Sequence, residues 1–105
     1  MALHQDVLPI IERLQKAREQ VECGIRKIRN LPDGKKMLRR IDMSVDVDDG
    51  FRCPLAQATG RSFAFALVDF QIELSCLVDC GFFATSAERA CAINQAWREA
   101  IVRFE

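Results

Sequence analysis

The sequence predicts an all-α fold, and three observations carry that prediction. Apolar residues in the first third recur at helical spacing, and so do those after Ser86. The one stretch that alternates like a strand, Ile41–Val47, has no second strand to pair with. The chain has 105 residues, half of them hydrophobic and 29% charged, which suits one small globular domain.

Residues 3–30 read as one long helix. Val7, Ile11, Leu14, Val21, Ile25 and Ile28 recur at spacings of four and three, and Arg18 takes the skipped seam position. A second row, Ile10, Leu14, Ala17, Val21, Gly24, Ile28 and Leu31, widens the stripe. Pro9 falls in the first two turns, where a missing N–H does least harm. Gly24 marks a bend or a close helix contact. The run Asn30-Leu31-Pro32-Asp33-Gly34 stops the helix. At about 1.5 Å per residue such a helix is roughly 40 Å long and outreaches the body behind it. Residues 1–34 are therefore expected to form a dimerisation or partner-binding helix, with Val7, Ile11, Leu14, Val21, Ile25 and Ile28 as its interface. Residues 35–105 form a small helical body.

Lys35-Lys36-Met37-Leu38-Arg39-Arg40 adds one helical turn. Ile41, Met43, Val45 and Val47 alternate with Asp42, Ser44, Asp46 and Asp48, as in an extended loop over the helices or an edge that pairs with a second molecule; the loop is favoured. Pro54 opens a brief helix that ends at Gly60. Ser62 caps the next, whose Phe63, Ala66, Leu67 and Phe70 share a face. Leu74, Leu77 and Val78 form another short face, closed by Gly81 as a left-handed cap. Thr85-Ser86-Ala87-Glu88 reads as a capping box for the last helix. Trp97 is its core anchor, expected to fill the space against the Phe63 helix.

Zero formal net charge argues against whole-molecule attraction to nucleic acid, but it hides an asymmetry. Residues 1–40 hold ten basic residues against five acidic ones, and the remainder carries the opposite imbalance. The pattern suits a solvated helix followed by an acidic loop, or electrostatic pairing between the halves, within one chain or between two copies. Arg26, Lys27, Arg29, Lys35, Lys36, Arg39 and Arg40 form the densest basic patch. No recognition helix-turn-helix or stacking pattern accompanies it, so nucleic acid is the minority partner. No apolar run reaches membrane-spanning length, and no secretory signal is expected at the N-terminus.

The cysteines are Cys23, Cys53, Cys76, Cys80 and Cys91. An odd count fits a disulfide framework poorly and suggests core thiols in a reducing cytoplasm. Cys76 and Cys80 face the same way on a helix, but they lack knuckle spacing and a nearby histidine, so no metal is expected. A nucleophilic Cys53 at the Pro54 helix is the enzymatic alternative, set against a buried packing role. His4 has no partner from which to argue a triad. The acidic loop misses the EF-hand register, because Gly50 at position six would put Val45 at position one. Gln57 reads as an amide bonded to loop backbone. No cofactor is expected.

From Ile41 to Ile101 the chain resembles a family of small actinobacteriophage and actinobacterial proteins. The resemblance rests on the Asp-rich lead (Asp42, Asp46, Asp48, Asp49) and on Cys53-Pro54-Leu55-Ala56-Gln57 with Gly60 and Phe63. Gly81-Phe82 and Ala96-Trp97-Arg98-Glu99-Ala100-Ile101 follow in the same order. Val68-Asp69-Phe70 departs from the family's Leu-Gly pair, and the long N-terminal helix is also a departure. The resemblance implies a phage or prophage product and brings no known catalytic residues. Cys53, Leu55, Gln57, Gly60, Gly81, Phe82 and Trp97 are then structural. The expected function is a non-enzymatic interaction module in the bacterial cytoplasm that binds and modulates a host protein, as an inhibitor of a host function or defence system. The alternative is a nucleic-acid-associated regulator using residues 26–40.

Overall fold

In the computed structural model, helix α1 spans Ala2–Arg29 and is followed by α2 (Gly34–Arg39), α3 (Pro54–Thr59), α4 (Phe63–Asp69), α5 (Leu74–Asp79) and α6 (Ala87–Phe104). The structure describes the backbone of residues 2–69 and 74–104 and the side chains of residues 10–68 and 77–104. No strand occurs among the described residues, and no helix there is long and apolar enough to cross a membrane.

The two long helices form the frame. Arg13 pairs with Glu88 at 3.4 Å, Arg18 with Glu99 at 2.9 Å, and Glu22 with Arg103. Residue numbers rise together along this series, so α1 and α6 run parallel, and α2–α5 carry the chain back between them. Two of the three pairs join a base of the first forty residues to an acid of the remainder, which is the pairing between halves within one chain.

Between these pairs lies the apolar seam. Ala17, Val21, Ile25 and Ile28 of α1 are buried with Ala92, Ile93, Ala96, Trp97, Ala100 and Ile101 of α6. This corrects the interface expected on α1. Val21, Ile25 and Ile28 are 1%, 3% and 0% exposed, because α6 and the turns around it already cover them. Leu14 is half-buried against the same core, Ile11 is exposed, and the side chain of Val7 lies outside the described residues. The core also draws on both sides of residue 34, so the expected division there does not divide the packing.

Gly24 is a close contact and not a bend. A Cβ there would overlap the carbonyl oxygen of Cys80 and crowd Trp97 and Phe82. Trp97 is fully buried, donates Nε1–H to the Gly81 carbonyl at 2.8 Å and stacks on Phe82. Its neighbours are therefore α1 and the Gly81–Phe82 turn, in place of the Phe63 helix, which packs on α3. Gly81 takes φ 70° as the left-handed cap, and Phe82 N–H closes back onto the Leu77 carbonyl at 2.8 Å. On α4, Ala66 is buried and Phe63 and Leu67 are half-buried, as their spacing predicts; Phe70 lies outside the described residues.

Two local expectations shift. Ser86, not Thr85, caps α6, accepting from Arg89 N–H at 3.2 Å; the residue three on is then Arg89, which cannot return the bond. Ile41–Val47 is the favoured loop. Ile41, Val45 and Val47 face the core while Met43 points out, because Asp42 turns the chain by accepting Ser44 N–H at 2.9 Å. Asn94 of α6 accepts Val47 N–H at 2.9 Å, and Arg98 reaches the carbonyls of Met43 and Val45 at 3.4 Å each.

Candidate binding surface at the basic end

Parallel packing brings the C-termini of α1 and α6 to one end of the molecule, and a tight reversal sets α2 beside them. Asp33 takes φ 57°, and Gly34 is buried where a Cβ would strike the carbonyls of Ile28 and Arg29. Met37 and Leu38 of α2 then turn inward at 4% exposure each, which leaves Lys35, Lys36 and Arg39 outside. The result is a groove of about 480 Å³ lined by Arg29, Lys35, Leu38, Arg39, Arg103 and Phe104. Four cations from three helices meet there with two apolar side chains, and no carboxylate lines it among the described residues.

Helix C-termini favour cations, because their unpaired carbonyls carry partial negative charge. The last turn of α1 holds Arg26, Lys27 and Arg29, that of α2 holds Lys36 and Arg39, and that of α6 holds Arg103. The clustering therefore has a folding cause as well as a binding consequence. Of the seven basic residues singled out in the sequence, Arg29, Lys35 and Arg39 line the groove. Arg26, Lys27 and Lys36 are exposed outside its lining, and Arg40 donates to the Ala58 carbonyl at 3.3 Å. Sequence reasoning missed Arg103 and Phe104, whose only sequence signal was the helix that carries them.

A second groove of about 260 Å³ lies between α1 and the Phe83–Thr85 turn. Its rim carries both signs, Glu12 beside Arg13 and Lys16, and two of its bases are engaged: Arg13 with Glu88, and Arg89 with Thr85 Oγ1 at 3.3 Å. At the basic end Arg103 pairs with Glu22, while Arg29, Lys35 and Arg39 have no carboxylate partner among the described residues.

The motif residues are structural in their geometry. Cys53 is 1% exposed, and its Sγ accepts Ala56 N–H at 3.3 Å at the start of α3. Burial pushes its thiol pKa up, which opposes a nucleophilic role at neutral pH. Leu55 and Phe82 are fully buried, and Gly60 caps α3 at φ 73°. Gln57 accepts Asp42 N–H at 2.7 Å and donates to the Arg52 carbonyl at 2.9 Å, which makes it a half-buried tie across the acidic loop.

The aspartates of that loop are spent on turns. Asp46 accepts Asp48 N–H at 3.0 Å, and Asp49 accepts Phe51 N–H at 2.8 Å while pairing with Arg52 at 2.9 Å. These bonds hold the Asp42 and Asp49 carboxyls below their usual pKa, Asp42 through Ser44 and Asp49 through Phe51 and then Arg52. Among the described residues no cluster of His, Cys, Asp or Glu could hold a metal ion. The side chains of His4 and Cys76 lie outside the described residues.

Compared with known protein families, curated proteins and solved structures, the chain matches none of them.

Proposed function

We propose that this protein is a non-enzymatic interaction module that binds an acidic surface of another protein through its basic end. The observation that carries the reading is the convergence on one groove of Arg29, Lys35 and Arg39, without a carboxylate partner among the described residues, beside the Glu22-paired Arg103. Leu38 and Phe104 give the same groove an apolar component. Acidic protein surfaces offer carboxylates beside apolar side chains, which matches this mixture of charge and apolar surface. The resemblance of residues 41–101 to actinobacteriophage proteins supports a bacterial host protein as the partner, with modulation of that protein as the outcome.

The test is capture from actinobacterial lysate, with and without nuclease, using the wild-type chain and a Lys35→Glu/Arg39→Glu chain. A protein captured by the wild type, resistant to nuclease and lost on charge reversal is the expected result. Capture abolished by nuclease would favour the nucleic-acid regulator instead. Equal capture by both chains would overturn the basic end as the binding surface.

A further inference from the structure

Cys23 and Cys80, 57 positions apart in sequence, bring their Sγ atoms to 3.0 Å. The approach is built into the backbone. Gly24, the next residue on α1, leaves no room for a Cβ beneath the Cys80 carbonyl. One turn earlier, Gln20 Nε2 donates to the Val78 carbonyl at 2.8 Å. Both contacts fix α1 against the end of α5, so the sulfurs need to close by only about 1 Å to reach a bonded distance near 2.05 Å.

We propose that Cys23 and Cys80 form an oxidation site, where a peroxide converts the thiol pair into a disulfide that ties α1 to the end of α5. Cys23 is half-buried and reachable from solvent, while Cys80 is 3% exposed and presented to Cys23. The Cys23 thiolate attacks one peroxide oxygen and the O–O bond breaks. The departing hydroxide takes up the thiol proton as water, leaving a sulfenic acid. Cys80 sulfur then attacks Cys23 sulfur, the S–O bond breaks, and the second hydroxide leaves as water with the Cys80 proton. Two thiols are oxidised by two electrons, one peroxide is reduced, and two waters form. In a reducing compartment thiols return the pair to its open form.

The experiment treats the 105-residue chain with hydrogen peroxide, unfolds it in urea so that buried thiols react, blocks the remaining thiols with N-ethylmaleimide and maps the tryptic fragments. The oxidised chain is expected to take up three blocking groups where the reduced chain takes five. Fragment 19–26 should be joined to fragment 62–89. Because the latter also holds Cys76, a Cys76→Ser chain should keep the link and a Cys80→Ser chain should lose it. The melting temperature should rise by about 10 °C on oxidation and fall back with dithiothreitol. Five blocking groups after peroxide, or a link made through Cys76 or Cys91, would overturn the proposal. A further chymotryptic cut after Leu77 separates Cys76 from Cys80 in the wild-type map, which decides this even where a variant fails to fold.

Discussion

At Gly24 the absence of one methyl group sets how closely α1 meets the end of α5. Gly24→Ala forces a Cβ into the Cys80 carbonyl and against Trp97, neither of which is a flexible chain end. Urea denaturation should show a loss of about 2 kcal/mol, the usual scale of overpacking. Gly50 is the control, since nothing lies within 4 Å of a Cβ there. Gly50→Ala should be neutral or gain about 0.5 kcal/mol by restricting the unfolded chain. The aspartates make a separate prediction. Asp42 and Asp49 have lowered pKa values in the folded chain, so the unfolded chain takes up protons first as pH falls. Their stabilisation is present above the ordinary carboxylate value near 4 and is lost as pH falls through the folded values. Melting temperature followed from about pH 6 to pH 2.5 should drop below pH 4. Asp42→Asn, which keeps the turn acceptor but cannot titrate, should make that drop shallower.

The periodicity of α1 identifies the helix, but not that α6 covers its Val21, Ile25 and Ile28. Spacing reveals which residues share a face, but not whether that face meets another part of the chain or another molecule. Here the answer lay more than sixty residues away in α6, whose Ala92, Ala96 and Ala100 are small enough to bring the helix close. Substitutions in the buried part of the stripe therefore test the core. Val21→Asp and Ile25→Asp place an unpaired carboxylate in the seam and should cost more than about 4 kcal/mol, read as loss of helical circular dichroism or of a cooperative urea transition. Ile11→Asp sits at 51% exposure and should stay within about 0.5 kcal/mol of wild type. Capping and turn signals at Gly60, Gly81 and Pro54 were legible because they are local chemistry. The start of α6 was missed by one residue because Thr85 and Ser86 are both competent caps, and only Ser86 meets the backbone N–H of Arg89.

For the molecule as a whole, the parallel arrangement of α1 and α6 decides where charge accumulates, and sequence alone does not reveal that arrangement. Three basic groove residues were visible as a cluster in one segment, while Arg103 joins them only because α6 ends beside α1. The same arrangement bears on self-association. A dimer through the α1 stripe would have to part Val21, Ile25 and Ile28 from α6 in each copy and uncover Ile93, Trp97 and Ile101, at roughly 1.5–3 kcal/mol per large side chain. The basic ends of two copies also repel one another at low ionic strength. Light scattering should therefore give the mass of one chain both at low salt and at about 0.5 M salt, where exposed charges are largely screened. A dimer appearing only at high salt would mean that repulsion between basic ends had masked an apolar contact. A dimer at both salts that dissolves in Ile11→Asp would locate the contact on the first turns of α1, where Ile10 and Ile11 are half exposed, and leave the buried seam intact. A dimer that survives Ile11→Asp at both salts would place the contact elsewhere, on exposed apolar side chains such as Phe51, Phe65 and Val68.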